Sequence, residues 1–568
     1  MSRIVECVPN ISEGRDRTVI DAVTAVVQNI PGVALLDVDP GEETNRTVIT
    51  LVGNPDATVD AAFRLIAEAQ RRIDMSAHSG AHPRMGATDV CPFVPVSGVT
   101  MDECAELARK LGTRVGEELG IPVYLYEHAA SRPERQNLAA VRAGEYEGLA
   151  AREGKSEWDP DFGPAKFNPR SGATAIGARN FLIAYNINLD TRSRKLAHDI
   201  ALDIRERGRR KRDSSGKAIR DHDGKFVMVP GRLKECKAVG WLIPEYGAAQ
   251  ISMNLTNAEV TPVHIAFDAV VEEATRRGLR VTGSEIVGLV PLRALRDAGL
   301  HYLRRQGLSP AVSEADLVQQ AVKSLGLDDL TPFDPASKII EYRLQQPGRL
   351  VDKTVTAFLD ELAADSPAPG GGSVASLMGA LSAALSAMVT NLTVGKKGYE
   401  SAEEEMKAVG LKAQQLKEAF AADIDRDTEA FNDLFAAAKM KRKTPEEVAA
   451  RASALREATR AATLIPLGVL QRAVDTVELS GAVAERGNTN SLSDAGVAAL
   501  AARACAEGAY YNVLINLIDT DDSEWAAPVM KDAAATLARV SAGAEAVTSR
   551  IRDRLEYTDA TGQAADPQ

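Results

Sequence analysis

Through the first 350 residues, short apolar runs alternate with stretches whose apolar positions recur every three or four residues. Runs rich in β-branched or apolar side chains at 4–8, 33–38, 47–52, 90–94 and 123–126 predict strands. The spacing predicts helices over 19–27, 57–71 and 101–119, the last opened by the capping-box pair Thr100 and Glu103. A Pro- and Gly-rich passage, 158–177, interrupts the alternation. Beyond it the pattern predicts a strand at 181–187, a helix over 193–206, strands at 237–243 and 250–255, a helix over 262–277 and a strand at 279–287. The order βαββαβ is a split βαβ arrangement. The first half opens with the same order, so two related α/β subdomains are expected, at 1–178 and 179–330, although the letters show no repeat.

From residue 351 the texture becomes Ala-rich with helical spacing, which predicts an all-helical domain over 351–558. Pro332, Pro335 and Pro347 mark 331–350 as a linker, and 559–568 reads as a disordered tail. One stretch, 366–395, carries no charge and is long enough to span a bilayer. Its Ala, Gly and Ser content lacks the Leu, Ile and Phe density that drives insertion and suits close helix packing instead. No membrane span is therefore expected. The chain's 568 residues suffice for several cores, and 67 Lys and Arg against 79 Asp and Glu give a net charge of −12. Such a chain is not built to coat nucleic acid or an anionic membrane. Five scattered cysteines, Cys7, Cys91, Cys104, Cys236 and Cys505, form no CxxC pair and suit a reducing cytosol. The opening MSRIVECVPN lacks the apolar core of a secretory signal, so a cytoplasmic chain starting here is expected.

Two of the seven histidines fall in one loop-like segment, HSGAHPRMG at 78–86. A spacing of four suits zinc on a helix, but Gly80 and Pro83 interrupt such a helix and no HExxH glutamate is present. A loop histidine satisfied by backbone is the plain alternative. An imidazole titrating near neutrality is the natural group to take a proton from an attacking amine. Asp39 and Glu6, at the ends of expected strands, could orient it. The segment 163–177 offers free backbone donors, an aromatic ring and two cations, which suits a flat anionic heterocycle, or it is simply an interdomain connection. Arg232, Lys234 and Lys237 bring three cations to the start of a strand, where they could meet carboxylates. The basic run at 205–220 reads as a solvated surface insert rather than a nucleic-acid site, since no known motif accompanies it.

In the helical domain, Pro369-Gly370-Gly371-Gly372-Ser373 precedes an apolar helix, where glycines let a ligand approach and the helix start favours anions; a plain turn is the alternative. The positions 406, 409, 413, 416, 420, 424, 427, 431 and 434 form one continuous apolar face interrupted only by Asp427. A carboxylate there needs a partner or a function. Asp423 and Asp425 lie off that face and are expected to be solvated. Asn512 and Asn516 suit core hydrogen bonding, and Ser491, Ser493 or Asp494 suits a helix cap.

These residues sit in motifs that resemble the formimidoyltransferase-cyclodeaminase family over nearly the whole chain. VECVPNISEGRD, LLDVDPG with NRTV, HPRMGATDVCPF, VYLYE, RAGEYEGL, PDFGP and GATAIGARNFLIAYNINL match its transferase half. PAPGGGSVA, DTEAF at 427–431, SDAGVAA and YYNVLINL match its deaminase half. The resemblance implies two ferredoxin-like α/β subdomains followed by a helical domain that dimerises through long helices within a homo-oligomer. It implies transfer of a formimidoyl group from N-formimidoyl-L-glutamate to tetrahydrofolate, a polyglutamylated co-substrate, with no metal. Ring closure then gives 5,10-methenyltetrahydrofolate and ammonia. His82 matches the catalytic base of transfer, with Asp39 as a positioning or relay group, and Asp427 matches the acid of deamination. Folate contacts map onto Gly163, Pro164, Lys166, Phe167, Arg170 and Gly172, onto Gly231, Arg232, Lys234 and Lys237, and onto Gly370, Gly371, Gly372 and Ser373. Residues 209–230 look like an insertion relative to shorter members. A helical half acting as methenyltetrahydrofolate cyclohydrolase, and a non-catalytic folate-binding scaffold, are the alternatives.

Overall fold

The computed structural model describes residues 3–556 apart from 29, 43, 81–82, 244–246, 345–348, 519 and 521. His82, part of the expected linker and the whole of the expected tail therefore lie outside the described residues. The chain divides into two compact units, one of residues 1–295 with 325–344, the other of 296–324 with 345–568.

The first unit begins with seven strands: β1 (Ile4–Cys7), β2 (Asn10–Ile11), β3 (Val33–Gly41), β4 (Arg46–Gly53), β5 (Thr88–Ser97), β6 (Val123–Glu127) and β7 (Thr174–Ala178). β1 and β2 are two pieces of one broken strand held between β4 and β5, with β3 at one edge beside β4. These pairings are antiparallel, whereas β7 joins β5 and β6 in parallel register. Alternation decides what each face does. Val5, Cys7, Ile49, Leu51, Cys91 and Phe93 point to a core shared with helices α1 (Arg17–Ala25), α2 (Pro55–Arg72) and α3 (Met101–Leu119). The capping box of Thr100 and Glu103 opens α3 as expected. The opposite face carries Glu6, Asn10, Val48, Val90 and Tyr126, and the site is built there.

A second sheet follows from β8 (Ile183–Leu189), β11 (Cys236–Ile243), β12 (Ala248–Leu255) and β13 (Val281–Val287), in the order β11-β12-β8-β13 and antiparallel throughout. Helices α4 (Arg194–Ile204) and α5 (Val263–Arg276) pack on it. Between α4 and β11 the basic run forms a two-stranded hairpin, β9 (Arg209–Arg210) with β10 (Met228–Val229), where Arg210 and Arg220 cover the Phe226 ring at 3.9 and 3.8 Å. Within the expected linker, Ile340 is fully buried against Leu36 and Val52 of the first sheet.

The second unit is a bundle of α6 (Gly371–Asn391), α7 (Glu403–Ala438), α8 (Pro445–Arg486), α9 (Leu492–Leu517) and α10 (Ser523–Glu556). α6 is long and apolar enough to cross a membrane by length and composition, yet it packs against α7, α8 and α9. Its small side chains set how near they come: a Cβ on Gly379 would lie 2.6 Å from the Phe420 ring of α7. Its buried hydroxyls are paired, with Ser382 donating to Ala498 O at 2.6 Å and Ser386 to Ser382 O at 3.1 Å.

Candidate functional site

In the first unit, the loop that precedes β5 is held by the segment Asn168 to Ala173. Met75 N donates to Arg170 O and Ala87 N to Ser171 O, both at 2.9 Å, and Gly86 bridges Gly172. The expected folate segment is thus strapped against the histidine loop, a proximity that no local spacing revealed. His78 is committed on both nitrogens: Nδ1 accepts from Arg84 Nε at 3.3 Å, so Nε2 carries the proton it donates to Asn45 O at 2.9 Å. Neither lone pair is left for a metal, and no group of three metal-ligating side chains occurs among the described residues. Arg84 is in turn fixed by Glu147 at 2.6 Å.

Pro83, the neighbour of His82 in sequence, lines a cavity of about 1050 Å³. Its floor is the face of the first sheet already described, through Asn10, Val48, Val90 and Tyr126, and its far wall includes Glu235, Cys236 and Lys237. Beside the floor, Asp89 is fully buried: its Oδ1 accepts from Met85 N at 3.0 Å and its Oδ2 faces two guanidiniums, Arg142 and Arg46, the latter at 3.5 Å. Arg46 Nε donates to Asn10 Oδ1 at 2.9 Å. Burial lowers the Arg46 guanidinium to about 10, which leaves it charged at neutral pH. Glu6, on β1, is buried and pushed up to about 7 by loss of water, against the pull of Arg179. Glu127 is likewise raised by burial.

The backbone marks the same place. Asn45, Glu127, Glu145 and Glu235 are the non-glycine residues with positive φ among the described residues, at +48°, +53°, +55° and +49°. Asn45 holds His78, and the other three line the cavity. Strained backbone gathers where function over-determines it.

Other expected residues have mixed positions. Asp39 is exposed on the edge strand β3, opposite Val48, so it shares the sheet face of the cavity floor but is not among the residues that line the cavity. Pro164, Lys166, Phe167 and Gly172 line a smaller pocket with Tyr124, Arg152 and Trp158, whereas Lys237 lines the large cavity. Gly163 turns at φ +83° against Ile121 O, and Arg170 donates to Arg71 O at 2.8 Å. Arg232 is paired with Glu272, Gly231 abuts Arg205 O, and Lys234 offers its carbonyl to Thr261 at 2.6 Å, so these three do not line the large cavity. Sequence reasoning missed Arg46, Asp89 and Arg142 as a group. Each stood in a recognised motif, but only the fold brings them together.

In the second unit the glycine-rich turn and Asp427 meet. An added Cβ on Gly372 would lie 2.1 Å from Asp427 Oδ1, so only glycine fits, and Ser373 Oγ donates to Asp427 Oδ2 at 3.2 Å. Gly370 and Gly371 continue the turn, with Asn512 near Gly371. The Asp427 carboxyl is half-buried and raised, chiefly by desolvation and further by the Asp423 charge, while Ser373 pulls it down. Two expectations are corrected here. Asp423 is buried and paired with Arg472 and with Arg426 at 3.1 Å, because the far side of α7 faces α8 rather than solvent. Asp425 accepts from Leu350 N at 2.6 Å and pairs with Arg349. Asn512 and Asn516 donate to Gly508 O and Ala462 O at 2.8 Å, as expected of core amides. The turn before α9 is capped by Asn488, not by a serine or Asp494.

A charged cavity in an α/β unit and a desolvated carboxyl in a helical one define a two-site acid–base enzyme. The family model described as "Formiminotransferase domain, N-terminal subdomain" matches residues 4–179, "Formiminotransferase domain" matches 184–345, and "Formiminotransferase-cyclodeaminase" matches 354–535. Formimidoyltransferase-cyclodeaminase of Mus musculus is 45% identical over 526 residues, 92% of this chain and 94% of that protein. Glutamate formimidoyltransferase of Streptococcus pyogenes is 44% identical over 54% of this chain and 94% of its own length. Methenyltetrahydrofolate cyclohydrolase of Methylorubrum extorquens is 38% identical over 36% of this chain and 98% of its own. The chain belongs to the formimidoyltransferase-cyclodeaminase family.

Proposed function

We propose that this chain transfers the formimidoyl group of N-formimidoyl-L-glutamate to N5 of tetrahydrofolate and then cyclises the product. His82 takes the N5 proton as the amine attacks the amidine carbon, and Asp39 relays or positions. His82 returns that proton to the glutamate nitrogen, the N–C bond to glutamate breaks and the amino acid leaves as the amine. In the second step N10 closes on the same carbon, Asp427 protonates the departing amine, ammonia leaves, and 5,10-methenyltetrahydrofolate forms. The observation that carries this reading is the raised, half-buried Asp427 carboxyl set against Gly372, because an acid must hold a proton until the amine departs.

Lys166, Phe167 and Lys237 contact the folate, and Gly370 to Ser373 receive it in the helical unit. The β11-β12-β8-β13 order supports a ferredoxin-like reading of the second α/β subdomain. The five buried free thiols support a reducing, cytoplasmic setting. A role in histidine degradation and polyglutamylated folate follow from the family likeness. A homo-oligomer formed through the helical unit is supported by exposed apolar side chains on α9, Val497, Leu500, Tyr511 and Ile515, continued by Ile518 at its C-cap.

The test supplies N-formimidoyl-L-glutamate and tetrahydrofolate to the full chain and follows ammonia and the methenyl product. Stoichiometric release of both supports the reading. A chain that releases no ammonia from 5-formimidoyltetrahydrofolate, yet hydrolyses methenyltetrahydrofolate, carries a cyclohydrolase in its helical unit instead. Folate binding without turnover marks a scaffold.

A further inference from the structure

Two guanidiniums and one carboxylate meet beside the floor of the large cavity. Asp89 is a single carboxylate, and two guanidiniums, Arg46 and Arg142, converge on its Oδ2. Asp89 is already committed at Oδ1 to Met85 N at 3.0 Å. Arg46 and Arg142 side chains are 15% and 14% exposed, so water does little to screen either charge. Arg142 Nε is buried and has no hydrogen-bond partner among the described residues. Buried donors are nearly always satisfied, and an orphan on a cavity wall is a place where a ligand completes the set. Both arginines line the 1050 Å³ cavity alongside Asn10 and Tyr126. Of the acids on the cavity lining and floor, Glu145 is drawn to Arg84 at 3.4 Å, and Glu6 and Glu127 are raised by burial.

We propose that Arg142, with Arg46 behind it, is the subsite for a carboxylate of the amino-acid donor. A carboxylate there meets a planar fork whose Nε still needs an acceptor, and Asn10 and Asp89 hold the fork in place. The inference rests on the transferase reading above and adds to it the group that selects an anionic amino acid over a neutral one. Arg142 sits in RAGEYEGL, and its role is invisible in sequence because Asp89 lies 53 positions away.

The test is steady-state transferase kinetics of the full chain with Arg142→Gln and Arg142→Lys, using N-formimidoyl-L-glutamate and its two monoamides as donors. Arg142→Gln is expected to raise KM for the donor by about tenfold or more, with KM for tetrahydrofolate and the deaminase activity unchanged. Arg142→Lys, which keeps the charge but loses the fork, is expected to fall between. The wild-type chain should use one monoamide, either the α or the side-chain form, about tenfold less well than the parent donor, and that preference should disappear in Arg142→Gln. The poorer monoamide identifies which carboxylate is held. If Arg142→Gln does not fold, as the loss of its deaminase activity would show, the wild-type comparison decides alone. Equal use of both monoamides and the parent donor overturns the subsite, as does an unchanged donor KM in a folded variant. Absence of any transfer by the wild-type chain overturns instead the function on which the subsite rests.

Discussion

At the scale of single residues, Asp427 and Asp423 form a working pair one helical turn apart on α7. Asp423 is paired with Arg472 and Arg426, and its charge raises the Asp427 carboxyl beyond what desolvation does. In the proposed mechanism deamination needs the Asp427 proton, so activity is expected to fall as pH rises through the Asp427 value. Asp423→Asn removes a like charge and frees two cations, both of which lower the Asp427 value. The alkaline limb of the deaminase pH–rate profile is expected to move to lower pH, and an unmoved limb would show that Asp423 does not act on Asp427. Glu6 offers a second case, read through stability. Its folded value near 7 lies above that of the unfolded chain, so the folded state holds the proton more tightly. That contribution is complete at low pH and is lost as pH rises through about 7. Glu6→Gln is expected to be nearly neutral in urea melts at pH 4 and stabilising at pH 8, by at most about 3 kcal/mol. Asp427 was legible in sequence because one acid interrupted an apolar stripe. Asp423 was misread because periodicity identifies one buried face, and α7 is covered on more than one.

At the scale of elements, alternation and spacing placed the principal strands and helices of the α/β unit, but not β2 or β7, the latter hidden in the Pro- and Gly-rich passage although it pairs with β5 and β6. The hairpin at 209–229 escaped, because its strands are two residues long and exposed, with no apolar alternation to betray them. The positive φ of Asn45, Glu127, Glu145 and Glu235 also escaped, because none of the four positions is itself a glycine. The start of α6 was legible as a glycine turn, but the reason for glycine at 372 is the carboxyl of Asp427 on another helix. Gly372→Ala places a methyl where Oδ1 lies, so the turn and the acid must separate. Deaminase kcat is expected to fall by about a hundredfold, with transferase kcat/KM unchanged. Retained deaminase activity would show that this contact does not set the acid's position.

At the scale of the whole chain, a net charge of −12 coexists with two guanidiniums beside the cavity floor, so recognition of an anionic substrate would depend on local arrangement rather than on the overall field. The exposed apolar side chains on α9 give a prediction at the same scale. Tyr511→Asp with Ile515→Asp should lower the mass seen in sedimentation equilibrium, and an unchanged mass would place the subunit contact elsewhere. In the proposed mechanism two chemically distinct centres act in succession, one resting on His82 and one on Asp427. The most direct measurement mixes the full-length His82→Ala and Asp427→Ala proteins and follows methenyltetrahydrofolate from N-formimidoyl-L-glutamate and tetrahydrofolate. Neither protein alone should form the product, and the mixture should, as released 5-formimidoyltetrahydrofolate passes from the second protein to the first. A single substitution that abolishes both half-reactions in folded protein, or a mixture that stays inactive while each partner retains its own half-reaction, would contradict the account.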